Sequence, residues 1–253
     1  MELPGYQRIA DDLRRAIMDG ELVPGAKLPS RHDLSARYGV SDRVAVEAVR
    51  LLVAEGFAVT RPGAGSFVRR RPELTRMTRL WYDPPGMSPF ASAMAAIGKT
   101  GTWESSSQRE PMTAAIASRL AAPPGEPAMC TRYTFLAGGE PVMLSSSWEP
   151  LEVTAGTPVM LPEEGPYAGK GVIARMAVIG QHIIRAEETI TARSVLASEA
   201  SRLGVALGAT VLAVARTYAT ADQPVETADI VIPAERWALV YQIPVGDEPH
   251  RHT

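Results

Sequence analysis

Cysteine is almost missing from this sequence. Cys130 is the single cysteine among 253 residues, so no disulfide can form within the chain. It lies in an apolar run typical of a β-strand, where we expect a buried and unreactive thiol. We therefore assign it no catalytic role.

Long hydrophobic runs are also missing. The chain has no run of the roughly 18 apolar residues that a membrane helix needs, although 45% of its residues are hydrophobic. Its first residues, Met1–Pro4, lack the basic and then apolar pattern of a secretory signal. We expect a cytoplasmic protein with no membrane span.

The arrangements of side chains that most enzymes need are not apparent. The four histidines are scattered (His32, His182, His250 and His252), and we find no Ser/His/Asp set, metal-ligand spacing or glycine-rich phosphate loop. We therefore expect no cofactor and no metal, and the sequence does not favour an enzyme.

Net charge is low, at −2, but it is unevenly distributed. Residues 1–71 hold 12 Lys/Arg and 9 Asp/Glu, whereas residues 72–253 hold 14 and 19. A basic head on an acidic body fits a nucleic-acid-binding module fused to a different kind of domain.

The length of the chain favours two domains. We predict an N-terminal DNA-binding domain over 1–70, a linker over 71–88, a second domain over 89–246 and a tail over 247–253. Three arginines open the linker and Pro84-Pro85-Gly86 closes it, with no sustained apolar period between them.

The head reads as a helix-turn-helix. Apolar periodicity predicts helices over about 6–19, 31–37 and 42–55. Ser30 and Ser41 are suited to cap the second and third helices, and Asp33 completes a near capping box with Ser30. Gly39 suits the tight turn between these two helices.

The third helix predicts which side chains face outward. Ala45, Ala48, Val49 and Leu52 share one face and are expected to point inward. The outward set is then Asp42, Arg43, Val44, Val46, Glu47 and Arg50. Two short strands follow, at 57–60 and 66–69, around Pro62-Gly63-Ala64-Gly65, and they predict a two-stranded wing.

Beyond Ser88 the sequence predicts an α+β domain with an antiparallel sheet. Expected strands cover 102–109, 128–136, 142–148, 183–192, 211–219, 225–233 and 238–243. Expected helices cover 89–97, 112–120, 167–178 and 195–203. Gly138-Gly139 and Asp222-Gln223 each separate two strand runs, which indicates antiparallel hairpins.

The head resembles the GntR family of bacterial transcription regulators, and the body resembles the effector-binding UTRA domain of the HutC subfamily. The head residues that carry the likeness include Lys27-Leu28-Pro29-Ser30-Arg31, Asp33-Leu34, Gly39-Val40-Ser41, Glu55-Gly56 and Gly63-Ala64-Gly65-Ser66-Phe67-Val68. In the body they are the segments 132–150, 165–180, 187–204 and 216–226, with Gly139-Glu140-Pro141 and Gln223-Pro224-Val225-Glu226. The resemblance implies a winged helix-turn-helix joined to a chorismate-lyase-like domain. It also implies a dimeric repressor or activator whose hold on operator DNA changes with a small molecule.

Several residues are candidates for DNA contact. Arg43 can donate two hydrogen bonds to guanine, and Val44 and Val46 suit the thymine methyl group. Relatives in the resembled family carry a basic residue in place of Asp42, threonine in place of Val44 and often arginine in place of Val46. The remaining candidates are Glu47 on the outward face, Lys27, Arg31, Arg37, Arg50 and Arg61 for phosphates, Ser30 and Ser41 at helix N-termini, and Gly63 and Gly65 in the wing. The wing glycines either enter a minor groove or only form the turn.

Candidate effector residues come from charged or polar positions in apolar runs. They are Arg132, Ser145, Ser146, Trp148, Tyr167, Arg175, Arg216 and Glu226. The resemblance implies that positions matching Arg132, Glu226 and the loop before Tyr167 contact acidic or sugar-phosphate effectors. Sugar-phosphate-sensing relatives often have an acidic residue at the position of Ser145, so the effector class stays open.

Alternatives remain at this point. The arginines and Glu226 either bind an effector or form internal pairs that hold the sheet. The body either senses a ligand or only dimerises, and a wholly apolar pocket would favour dimerisation alone. A chorismate-lyase-like enzyme is a third possibility. If a ligand is sensed, we expect the linker to carry the signal by shifting the spacing of the DNA-binding heads.

Overall fold

The computed structural model describes residues 4–70, 74–79 and 88–243. The chain separates into two units, one up to Pro72 and a second from Glu73 onward. Each unit has its own hydrophobic core. The predicted tail, 247–253, lies outside the described residues.

The first unit contains three helices and a two-stranded wing, as expected. The elements are α1 (Gly5–Met18), α2 (Arg31–Tyr38), α3 (Asp42–Ala54), β1 (Ala58–Arg61) and β2 (Gly65–Val68), with the two strands antiparallel. Ile9, Leu34, Ala45, Ala48 and Leu52 are completely buried in its core. The inward face predicted for α3 is thus confirmed, with Val49 partly buried against the same core.

The turn between α2 and α3 has the predicted chemistry. Ser30 accepts a hydrogen bond from the backbone N–H of Asp33, and the Asp33 carboxylate accepts one from the backbone N–H of Ser30. Gly39 ends α2 with φ of 64°, a left-handed conformation that glycine adopts without strain. Ser41 precedes α3 but makes no side-chain capping bond.

The second unit is an α+β domain, which confirms the predicted fold class. Its elements are β3 (Thr75–Thr78), α4 (Pro89–Ala95), β4 (Gly101–Pro111), α5 (Ala114–Arg119), β5 (Pro127–Ala137), β6 (Glu140–Pro150), α6 (Leu151–Thr154), a 3-10 turn (Gly165–Tyr167), α7 (Val172–Val178), β7 (Arg185–Ser194), α8 (Ala197–Leu203), β8 (Thr210–Ala219), β9 (Pro224–Pro233) and β10 (Trp237–Val240). Six strands form one antiparallel sheet in the order β4-β5-β6-β9-β8-β7.

The region expected to be a plain linker contains a strand. β3 pairs in parallel with β10 as a separate two-stranded sheet, and the N–H groups of Thr75 and Arg79 donate to carbonyls of Arg236 and Val240. Met77 is buried in the same core cluster as Trp237. The second unit therefore includes a strand well before Ser88.

One predicted helix is shorter than expected. The segment 167–178 becomes helical only from Val172, because Gly169 takes a positive φ of 75° and Gly171 occupies the N-cap. The short helix α6 was not predicted. It is a single turn after a proline, too short to show a helical period.

The two faces of the six-stranded sheet carry different partners. One face packs against β3, β10 and α4 in a cluster that includes Phe90, Met94 and Ile230. The other face carries α5 and α8 in two smaller clusters. Within the described residues, no helix has the length and apolar content required to cross a membrane.

Candidate functional site

The N-terminal part of α3 presents Arg43 to solvent. The two nearby carboxylates pair with other arginines. Asp42 Oδ2 lies 3.6 Å from Arg31 Nε, and Glu47 Oε2 lies 3.6 Å from Arg50 Nη1. No ion pair involves Arg43 in the described parts of the chain. Arg43 is therefore a cation of this surface that is not held by a carboxylate.

Val44 is more enclosed than expected. It packs against the core of the first unit, and a Cβ built on Gly5 would lie 3.5 Å from its methyl carbon. Val44, which was predicted in the outward set, is therefore only half-exposed, because α1 covers part of it. Val46 is half-buried and lies outside that core cluster.

The wing adds further cationic side chains. The backbone of Lys27 forms an isolated β-bridge with Phe67 of β2. The Lys27 Cε would lie 3.0 Å from a Cβ built on Gly65. The Arg61 guanidinium lies 4.8 Å from the Phe67 ring centroid. Gly63 has a φ of 72° with open space around it. The wing tip therefore has little side-chain bulk and is flanked by cationic side chains.

The other candidate DNA-contacting residues lie at the ends of α2 and α3. Ser30 and Ser41 are exposed at the two N-termini, and Arg37 is exposed with its guanidinium 5.6 Å from the Tyr38 ring centroid. Because Asp33 engages the Ser30 hydroxyl, Ser41 is the freer of the two hydroxyls.

The second unit contains a cavity of ≈ 140 Å³, partly open to solvent, on the sheet face that carries β3 and α4. Its lining is largely apolar and aromatic, with a few charged groups among them. The residues used below are Arg79, Phe90, Trp103, Tyr133, Phe135, Met143, Ser145, Ser147, Glu163, Lys170, Arg175, Arg216, Tyr218 and Ile230. Apolar walls with a few convergent polar groups are typical of a small-molecule site.

Arg175 forms the most buried ion pair among the described residues. Its side chain is 2% exposed and that of Glu149 is 1% exposed. Both guanidinium Nη atoms donate to the Glu149 carboxylate, and Nη1 also donates to the carbonyl of Val159 at 3.1 Å. This part of the wall matches the alternative of an internal pair that holds the domain together.

Arg216 forms a second pair across neighbouring strands. Its Nη2 donates to Glu226 at 2.9 Å, and the Ser147 hydroxyl donates to the same carboxylate oxygen at 2.7 Å. The guanidinium lies 4.4 Å from the Tyr218 ring centroid. Arg216 Nε and Glu226 Oε2 are buried without a hydrogen-bond partner among the described residues.

Arg79 brings the segment after the DNA-binding domain into the cavity wall. Its guanidinium pairs with Glu188 of β7, and the Tyr241 hydroxyl donates to the same carboxylate at 2.6 Å. Burial, and then the hydrogen bond with Glu188, raises the pKa of Tyr241, so this hydroxyl stays a donor at neutral pH. One carboxylate thus ties the end of β3 to the six-stranded sheet.

Aromatic side chains cover another side of the cavity. Phe135 packs against Phe90 at 4.7 Å, Tyr133 at 5.2 Å and Trp103 at 6.4 Å between ring centroids. The Tyr133 hydroxyl donates to Glu163 at 3.1 Å, and burial is the main cause that raises its pKa. Glu163 also accepts from the backbone N–H of Gly169, which orders the loop before α7.

Strand alternation separates the residues predicted for the effector site. Ser145, Arg175 and Arg216 line the cavity. Glu226 does not line it but accepts a hydrogen bond from Arg216. Ser146 and Trp148 instead line a groove on the opposite face, which corrects the prediction that they share one wall with Ser145.

Arg132 and Tyr167 also differ from expectation. Neither is among the residues lining the cavity. Arg132 donates twice to Glu110, at 2.7 and 2.9 Å. The Tyr167 ring centroid lies 5.6 Å from Nζ of Lys170, which does line the cavity.

Several lining residues were not predicted from the sequence. Tyr133 and Phe135 could have been found, because they share the face of β5 opposite to Arg132. Arg79 gave no signal, since it lies in the segment taken as a linker. Cys130 is buried as expected, and burial raises the pKa of its thiol to about 11.

Comparison with known proteins covers both units. Residues 5–68 match the gntR family of bacterial regulatory proteins, and residues 98–238 match the UTRA domain. The crystal structure of a GntR-family transcriptional regulator is 48% identical, with a TM-score of 0.88 over 96% of this chain and 98% of that one. An HTH-type transcriptional repressor, NagR of Bacillus subtilis, is 28% identical over 94% of each chain. An uncharacterised HTH-type transcriptional regulator of Streptomyces coelicolor is 28% identical over 96% of this chain and 94% of its own length.

Proposed function

The chain belongs to the gntR family of bacterial regulatory proteins and carries a UTRA domain, and from this we propose that it is a cytoplasmic, homodimeric repressor released from its operator by a small molecule. The observation that carries the proposal is the cavity in the second unit, whose wall includes Arg79 at the end of β3. That segment follows the DNA-binding unit directly in the chain. Support for repression comes from the repressor NagR, which is similar over nearly the whole length.

Operator recognition is assigned to the outward side of α3. Arg43 donates to a guanine, and Val46 contacts a thymine methyl group. Since Asp42 and Glu47 leave few positive charges here, affinity comes mainly from phosphate contacts of flanking cations. Those cations are Lys27, Arg31, Arg37, Arg50 and Arg61.

The polar cavity argues against the rival in which the second unit only dimerises. Ion pairs that only hold the sheet would satisfy their buried donors, whereas the Nε atoms of Arg79, Arg175 and Arg216 are buried without an acceptor among the described residues. This cavity is lined by Arg79, Arg175, Arg216 and Glu163. We also propose that the protein is not an enzyme, in keeping with relatives that are transcriptional regulators.

Coupling is assigned to β3. A ligand in the cavity would contact Arg79 and compete with Glu188 for its guanidinium group. A change at this point shifts the population of DNA-binding heads that match the operator half-sites, without any need for the ligand to approach DNA.

The direct test is selection of DNA fragments by the purified full chain, with and without the small-molecule fraction of a bacterial extract. We expect enrichment of a palindromic site that the extract fraction diminishes. Enrichment of no common sequence would refute the DNA-binding proposal, and enrichment that the fraction leaves unchanged would refute ligand release.

A further inference from the structure

We propose that the cavity takes a small monocarboxylic acid that carries one planar, apolar ring, and that it excludes sugar phosphates. The inference rests on the proposed function, since it names the ligand class of the same cavity. It is carried by the size of the cavity, by its walls and by the state of its arginines.

The size of the cavity suits a ligand with about one ring. The cavity measures ≈ 140 Å³, and an apolar cavity of about 150 Å³ is large enough to hold benzene. A six-membered ring with a short acidic substituent matches this volume. A hexose phosphate adds a phosphoryl group and a full set of hydroxyls to a ring of similar size.

The walls favour a flat apolar ring over a hydroxylated one. Phe90, Trp103, Tyr133 and Phe135 form one aromatic cluster at the cavity, in which the Tyr133 and Phe135 rings lie 18° from parallel. Aromatic rings pack well on such surfaces in offset or edge-to-face arrangements. Sugar hydroxyls placed against the same side chains would lose water without gaining hydrogen-bond partners.

The arginines are already neutralised by the protein. Arg175 has Glu149, Arg216 has Glu226 and Arg79 has Glu188 as carboxylate partners. A phosphate dianion would therefore enter a site whose guanidinium charges are balanced, and its desolvation would not be offset. A single carboxylate brings half the charge and needs fewer donors.

Three guanidinium groups of the cavity wall still have unused donors. The Nε atoms of Arg79, Arg175 and Arg216 are buried, and none of them has an acceptor within the described residues. A buried N–H group without an acceptor is unfavourable, so the site gains when an anionic oxygen arrives. Ser145, which lines the cavity and pairs with Tyr133 in the strand register, offers a hydroxyl.

The test is calorimetric titration of the full chain with matched probes: benzoate, phenylacetate, phenylacetamide and glucose 6-phosphate. We expect an acid to bind, with phenylacetamide at least about tenfold weaker than phenylacetate because it lacks the charge. Glucose 6-phosphate should give no binding heat. Tighter binding of glucose 6-phosphate than of either acid would overturn the proposal, and so would the absence of binding by both acids.

Variants locate the binding. Arg216→Met alone would leave Glu226 buried and unpaired, so the double variant Arg216→Met/Glu226→Gln, which removes both charges, is the one to titrate. We expect it to fold and to bind the acid at least about tenfold more weakly. Arg109→Gln, on an exposed position of β4 away from the cavity, is the matched control and should bind normally. Unchanged affinity in the double variant would overturn the assignment.

Failure of the proposed ligand class can be distinguished from failure of the proposed function. If the small-molecule fraction of an extract releases operator DNA while both acids fail to bind, the regulator proposal stands and the ligand class proposed here is wrong. If nothing in the fraction releases DNA, the proposed function itself fails.

Discussion

Among single residues, Arg43 has the clearest role in choosing a DNA sequence. We expect Arg43→Ala to weaken operator binding by about 1–3 kcal/mol and to relax one base pair, because a bidentate contact to guanine is lost. Lys27→Ala should weaken operator and random DNA alike and reduce the salt slope by about one. Both are measured by fluorescence anisotropy over a range of salt. Equal loss on operator and random DNA for Arg43→Ala would contradict its role.

We expect Arg132 to stabilise the fold rather than to bind the ligand. Its hydrogen bonds to the Glu110 carboxyl lower the pKa of that group below its ordinary value. A depressed carboxyl pKa stabilises the fold above the unfolded-state value, and this contribution is lost as pH falls through the folded-state pKa.

Arg132→Gln should therefore lower stability at neutral pH and flatten its decline in acid. The loss should be no more than about 1 kcal/mol, because both groups are partly exposed. Urea unfolding at several pH values measures it. Ligand affinity should stay as in the parent protein, and a loss of ligand affinity would contradict the place of Arg132 outside the cavity.

Individual side chains were the hardest feature to predict from the sequence. Ser145 and Ser146 are neighbours in the sequence and offer the same chemistry, yet the pleat of β6 sends them to different surfaces. Only a fixed register could have shown which serine faces the ligand. Val44 was misjudged for a similar reason, since the position of α1 across it is not encoded in the period of α3.

Among the elements, the turn between α2 and α3 offers a clean test of backbone conformation. Gly39 has a φ of 64°, and nothing lies within 4 Å of a Cβ built on it. Gly39→Ala should destabilise the first unit by about 1–2 kcal/mol through the left-handed backbone alone. Gly39→Asn should cost less, because asparagine tolerates this region. Thermal unfolding of the two variants measures the difference, and equal destabilisation would contradict this explanation.

Elements with a strong period were predicted well, and elements defined by distant partners were not. α1 and α3 were placed within two residues, because buried side chains recur along one face. β3 was missed because it has four residues and its partner, β10, lies about 160 positions later in the chain. No local pattern distinguishes such a strand from a linker.

For the whole molecule, the proposed coupling depends on the ion pair between Glu188 and Arg79. Glu188→Gln should preserve operator affinity without ligand and weaken the ligand-induced release, because a neutral side chain holds Arg79 less firmly. The neighbouring Glu187→Gln is the control, since Glu187 is exposed on the same strand. The measured quantity is the ratio of operator affinities without and with ligand. An unchanged ratio in Glu188→Gln would remove β3 from the proposed coupling.

Ligand-controlled release from DNA is checked by an anisotropy titration of a selected operator fragment with the full chain, with and without the small-molecule fraction of a bacterial extract. We expect at least about a tenfold loss of operator affinity when the fraction is present. We expect a much smaller loss for the cavity double variant Arg216→Met/Glu226→Gln. Equal operator affinity with and without the fraction, in the unmodified protein, would contradict a ligand-responsive regulator.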